Sequence, residues 1–138
     1  MTRNSLILEN ADPEIYPPQS ITMLADETRE YFLSKPATSE ETPFGPDVLV
    51  YKVGGKMFAT LGLEDDTGRI NLKCEPQRAI DLRLEHPQIL PGYHMNKKHW
   101  NTLILDGSLK PALVRELVDH SYDLVVASLT KKVRDSLA

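Results

Sequence analysis

The stretch from Val48 to Cys74 constrains the fold more than any other part of the chain. Val48-Leu49-Val50-Tyr51-Lys52-Val53 is rich in β-branched residues and reads as a strand. Gly54-Gly55 supplies two residues that accept positive φ, as a two-residue hairpin turn requires, and Lys56 to Leu61 returns as a second strand. Glu64-Asp65-Asp66-Thr67-Gly68 marks another turn. Beyond it Ile70, Leu72 and Cys74 alternate with Arg69, Asn71 and Lys73, so a third strand carries one apolar face. Strands joined by turns this tight pair antiparallel, because parallel pairing needs a long crossover. Their apolar face needs a cover from elsewhere in the chain.

Helical segments on either side supply that cover. Ser20 or Thr22 can cap a first helix, with Asp26 and Glu27 in its early turns. Leu24, Thr28, Tyr31 and Phe32 share one face, and Lys35-Pro36 ends the helix. Residues 36–47 read as a proline-rich loop, acidic at Glu40 and Glu41. Pro76 opens a second helix whose buried side is marked by Ile80 and Leu84, and His86-Pro87 stops it. Pro87 to Gly92 reads as an irregular stretch, with room for a short strand near Tyr93 to Met95, and Trp100 to Leu105 as a fourth strand. Ser108 is positioned to cap the last long helix, with Pro111 in its first turn. Leu113, Leu117 and Leu124 form one apolar stripe of that helix, and Val114, Val118, Val125 and Leu129 a second. A short helix over Thr130 to Leu137 follows. The order α-β-β-β-α-β-α, plus the extra short strand, predicts an α+β two-layer sandwich in which helices cover an antiparallel sheet.

At 138 residues the chain suits one domain. Residues 1–20 read as a tail interrupted by Pro13, Pro17 and Pro18, and 21–138 as the domain. Within the tail the apolar triplet Leu6-Ile7-Leu8 is able to dock elsewhere, for example along a sheet edge. No apolar signal segment or membrane-length run is visible, and a single cysteine, Cys74, allows no intrachain disulfide. A cytoplasmic protein with no membrane association is expected. Cys74 itself reads as a small buried hydrophobe.

Catalytic and cofactor motifs are absent: there is no GxSxG elbow, HExxH, CxxC pair or Walker loop. No Cys/His cluster has zinc spacing, and Glu64-Asp65-Asp66 lacks the spaced ligands of a calcium loop. No cofactor, metal or catalytic residue is expected. The net charge of −4 disfavours a general polyanion binder, so nucleic-acid binding needs a local patch. Residues 86–115 contain Lys97, Lys98, Lys110 and Arg115 against Asp106 alone, a local +3, while the rest of the chain carries −7. Within this region His94, Asn96, Lys97, Lys98, His99 and Trp100 concentrate donors around the only tryptophan. The lysines and His99 can face phosphate oxygens. Asn96 and Asn101 fit base-edge contacts or the closing of a local turn, and Trp100 fits base stacking or core packing. Tyr122 reads as a half-buried anchor of the last long helix.

The same stretch carries a family resemblance. His94-x-Asn96-Lys97-x-His99-Trp100-x-Thr102, followed by Leu105-Asp106-Gly107-Ser108-Leu109, resembles the signature of the MmcQ/YjbR proteins. Leu117-Val118-Asp119-His120-Ser121-Tyr122, the helix exit Tyr31 to Ala37 and the strand Lys56-Met57-Phe58-Ala59 are similar to further segments of that family. The likeness spans about residues 22 to 130. It implies a small domain similar in fold to type III secretion chaperones and loosely to frataxin-like sandwiches. It also implies DNA binding, a property commonly ascribed to the family under a "double wing" description.

Three functions compete. The first is a nucleic-acid-binding module, weak and salt-sensitive, using His94, Asn96, Lys97, Lys98, His99, Trp100, Lys110 and Arg115. The second is a protein-interaction or chaperone-like domain, monomeric or homodimeric, suggested by the implied fold and the Leu6-Ile7-Leu8 triplet. The third is a small-ligand binder or enzyme, which requires His94, His99, Asp106 and Trp100 to converge on one pocket.

Overall fold

The computed structural model describes residues 17–92 and 95–137, with side chains from Leu24 on. Among these residues are four helices and a six-stranded antiparallel sheet of order β1-β2-β3-β4-β6-β5, with α1, α2 and α3 packed on one face. The elements are α1 (Pro17–Ser34), β1 (Thr38–Glu41), β2 (Val48–Val53), β3 (Lys56–Glu64), β4 (Thr67–Lys73), α2 (Pro76–Glu85), β5 (Ile89–Pro91), β6 (Trp100–Leu105), α3 (Pro111–Ser128) and α4 (Lys131–Ser136). This is the α+β sandwich expected from the sequence.

The β2–β3–β4 meander forms as its turn chemistry dictates. Gly54 and Gly55 adopt φ of 60° and 81°, and Asp65 and Asp66 adopt 52° and 64° at the second turn. Register places Leu61 beside Ile70 and Ile70 beside Leu103, so the apolar face crosses β3, β4 and β6 without interruption. Against it pack Phe32 of α1 and Leu117, Val118, Tyr122 and Val125 of α3. An aromatic chain binds the layers: Phe32 lies 4.6 Å from Tyr51 and 6.1 Å edge-on to Phe58, which lies 5.3 Å edge-on to Tyr122.

Several elements depart from the sequence expectation. α1 begins at Pro17, so its first turn occupies the last residues of the stretch read as a tail. β1 lies inside the expected loop 36–47. Its sequence, Thr-Ser-Glu-Glu, has no apolar alternation and forms an edge, where charge suits solvent and discourages pairing with other chains. It is held by Glu40, which accepts from Arg29 (2.7 and 2.8 Å) and from Tyr51 Oη (2.7 Å). The Arg29 hydrogen bonds keep the Glu40 carboxyl below its usual range.

The short strand forms at Ile89–Pro91 rather than near Tyr93–Met95, of which Tyr93 and His94 lie outside the described residues. Gly92, which follows it, still donates to Trp100 O (2.9 Å). A Cβ there would sit 2.9 Å from Trp100 Cβ and 3.0 Å from Trp100 O, so only glycine lets the two backbones approach. The buried side of α2 is Ala79 and Leu82, whereas Ile80 is 43% and Leu84 82% exposed. The helix is rotated so that the small Ala79 brings its carbonyl to the buried Asn101 (Nδ2 to O, 3.3 Å). Ser108 does not cap α3: its backbone N and hydroxyl donate to Asp106 Oδ1 (3.0 and 2.6 Å), and Lys110 takes the cap position. No helix among the described residues is long and apolar enough to cross a membrane.

Candidate nucleic-acid interface

The loop between β5 and β6 is built to hold two lysines outward. Asn96 Oδ1 accepts from Lys98 N (2.9 Å) and Asn96 O from His99 N (3.1 Å), so Asn96 closes the turn. His99 O accepts from Cys74 N (2.7 Å), which fixes the loop against the end of β4. Lys97 and Lys98 are left exposed at the apex.

Facing them across a cavity of about 480 Å³ stands α2, which contributes Pro76, Gln77, Ile80 and Arg83. Arg83 was not singled out by the sequence, since nothing in a lone helical arginine announces its partner. Its Nη1 donates to Asn101 Oδ1 (2.8 Å) and to Lys97 O (3.4 Å). Asn101, 2% exposed, thus ties α2 to β6 with one end of its amide and aims the guanidinium with the other. It is a structural residue and not a base reader. The neighbouring Arg78 is engaged by Glu116. Glu75 accepts from Gln77 N and Arg78 N (3.0 Å each) at the start of α2, and these bonds hold its carboxyl below the usual range.

The remaining expected residues lie elsewhere. Trp100 is half-buried on the sheet face turned away from α2, because side chains alternate along β6 and Asn101 faces the helix. Lys110 sits exposed at the start of α3, and Arg115 lines a different cleft, between α1 and α3. His94 lies outside the described residues. Lys97 and Lys98 therefore share their cavity with Arg83, not with Lys110 or Arg115. Of the residues that a ligand pocket would need, His99 and Trp100 do not converge with Asp106. His99 and Trp100 stand at the start of β6 and Asp106 beyond its end, about 20 Å away at roughly 3.3 Å per residue. Asp106 is occupied by Ser108, whose hydroxyl lowers its pKa. Among the described residues no three His, Cys, Asp or Glu side chains come together to hold a metal ion.

The segment Leu117 to Tyr122 has a different role from the loop. Asp119 Oδ1 accepts from Tyr31 Oη (2.7 Å) and Lys35 Nζ (2.8 Å), and that ammonium lies 5.0 Å from the Tyr122 ring centre. Tyr122 Oη donates to Pro36 O (2.6 Å), as befits an anchor. His120 Nε2 accepts from Glu75 N (3.2 Å), and burial pushes its pKa down. Ser121, fully buried, donates to Phe58 O (2.6 Å) and accepts from Lys73 N (2.8 Å). Phe58 is the extra residue where the β2–β3 register shifts, Tyr51 pairing with Ala59 and Lys52 with Met57. The serine thus bridges two strand groups that the bulge separates. This segment clamps α1, the meander and α2 to α3.

Comparison with known proteins places these features in context. A family model described as YjbR matches residues 33–124. The uncharacterized protein YjbR of Escherichia coli K12 is 32% identical over 115 residues, covering 83% of this chain and 98% of that one. The uncharacterized protein YbdF of Escherichia coli O157:H7 is 42% identical over 90 residues, 65% of this chain and 74% of that one. Among solved structures, Deinococcus radiodurans protein DR2400 superposes with a TM-score of 0.76 at 42% identity, covering 81% of this chain and 86% of that one. A Pseudomonas syringae protein gives 0.63 at 31% identity over 72% and 97%.

Proposed function

The chain belongs to the YjbR family, and from that premise we propose that it is a cytoplasmic, non-catalytic DNA-binding module whose contact surface is the basic cleft between α2 and the β5–β6 loop. The observation that carries this reading is the convergence of Lys97, Lys98 and Arg83 from two elements onto one cavity, with Arg83 aimed by a buried amide. Three cations set this way suit successive phosphate oxygens. With a net charge of −4 over the whole chain, contact with a polyanion depends on such a local patch. With about three phosphates neutralised, log K should fall with log salt at a slope of roughly −2.7. Cys74 is buried and burial pushes its thiol pKa up, which suits a reducing compartment and gives no nucleophile.

The test is an anisotropy titration of labelled duplex and single-stranded DNA at two salt concentrations. Wild type binds at low salt and weakens as salt rises. Lys97→Glu/Lys98→Glu abolishes binding, whereas Lys110→Glu/Arg115→Glu leaves it intact. Absence of binding by wild type at low salt refutes the proposal, and equal losses from both double variants refute the site. A protein partner is the second reading, supported by the exposed Ile80 and Leu84 on α2. It predicts that Leu84→Asp abolishes capture of a partner and leaves DNA affinity unchanged.

A further inference from the structure

The cleft between α1 and α3 is separate from the basic cleft and has a volume of about 350 Å³. Its floor is apolar: Leu24, Leu105, Leu109, Val114 and Val118. Its α1 rim is acidic at Glu27 and Glu30, its α3 side carries Arg115, and exposed Lys110 stands outside the lining where α3 begins. The two helices run in the same direction. Leu24 Cδ1 lies 3.8 Å from the position of a Cβ on Gly107, just before α3, while Tyr31 and Lys35 reach Asp119 further along. Acid therefore lines the α1 side of the cleft, Arg115 faces it from α3, and Lys110 stands beyond the end where α3 begins.

The chain contains a segment that matches this surface in order and in spacing. Arg3, then Leu6-Ile7-Leu8, then Glu9 present a cation, three apolar side chains and an anion. We infer that this N-terminal segment folds back antiparallel to α1 and seats Leu6 and Leu8, which share one side of an extended segment, on the apolar floor of the α1–α3 cleft, with Arg3 beside Glu27 and Glu30 and Glu9 beside Lys110. The reach is adequate. From Pro17 to the level of Leu24 is about 10 Å along the helix at 1.5 Å per residue. Residues 9–16 span up to about 26 Å when extended. The spacing matches as well: Leu6 to Arg3 covers about 10 Å extended, and Leu24 to Glu30 about 9 Å of helix. The apolar triplet and its flanking charges have no role in DNA contact, so the two proposals stand or fall separately.

The experiment uses the full chain. A nitroxide is attached at Asn4→Cys, the buried Cys74 remaining unlabelled, and amide signals are recorded. Loss of the Tyr31, Arg115 and Val118 signals is expected, with their recovery in Leu6→Asp/Ile7→Asp/Leu8→Asp. Arg3→Glu should restore these signals in part, and Glu27→Arg/Glu30→Arg added to it should abolish them again. Unbroadened signals in the Asn4→Cys chain overturn the inference. So does equal broadening of isotope-labelled copies that carry no nitroxide when they are mixed with spin-labelled copies, which assigns the cleft to a second copy. Broadening that persists in the triple-Asp variant also overturns it, because the triplet would then not be the occupant.

Discussion

Ser121→Ala removes one oxygen atom from the interior and tests the clamp directly. In the folded protein that hydroxyl donates to Phe58 O at 2.6 Å and accepts from Lys73 N at 2.8 Å, and the residue is fully buried. Alanine leaves a backbone carbonyl and a backbone N–H without partners on either side of the bulge. Each such group costs about 1–3 kcal/mol when left unsatisfied. The space vacated by a single oxygen is smaller than a water needs, so solvent does not repair the break. A loss of about 3 kcal/mol is therefore expected, and at this chain length that amounts to a fall in Tm of roughly 10 °C. Urea unfolding followed by circular dichroism measures it, with an unchanged m-value showing that the same surface is exposed on unfolding. Ser108→Ala is the control, since that hydroxyl bonds Asp106 at the surface, and it should change stability by less than about 0.5 kcal/mol. A loss below about 1 kcal/mol for Ser121→Ala would show that the bulge is held by packing alone and would refute the reasoning.

Other perturbations follow from particular residues. Burial raises the pKa of Asp119, but hydrogen bonds from Lys35 and Tyr31 outweigh it and the net shift is downward. A carboxyl with a lowered folded pKa stabilises above the unfolded value of about 3.9 and loses that contribution as pH falls through the folded pKa. Urea melts should therefore show wild type losing stability more steeply than Asp119→Asn below about pH 4. His120 is shifted down by burial, so acidification through its unfolded value of about 6.5 charges the unfolded chain first and lowers stability. His120→Gln should flatten the stability profile in that range. Gly92→Ala forces a Cβ to 3.0 Å from Trp100 O, a backbone atom unable to yield, and should cost about 1–3 kcal/mol in chemical denaturation. Leu84→Asp on the exposed side of α2 should leave stability within about 0.5 kcal/mol.

What the sequence determined by itself is the meander and the long helices. Ile70, Leu72 and Cys74 alternate with polar neighbours, and a period of two admits one assignment of faces. Gly54-Gly55 admits one kind of turn. The α1 face of Leu24, Thr28, Tyr31 and Phe32, and the valine stripe of α3, were legible because each is long enough for its period to show. The polar edge β1 had no such signal, since its partners Arg29 and Tyr51 lie outside the segment. The orientation of α2 was also hidden. Apolar Ile80 and Leu84 point to solvent because Asn101 draws the Ala79 carbonyl inward and takes Arg83 with it, a choice made by a buried amide on a distant strand. The basic site divides along the same line. Lys97 and Lys98 stood out as adjacent charges in a turn, while Arg83 joined them and Arg115 left them only when the helices packed on opposite sides of α3. Local periodicity is written in neighbouring residues, but which side chains meet across a sheet depends on the hydrogen bonds and volumes of the partners that tertiary packing supplies.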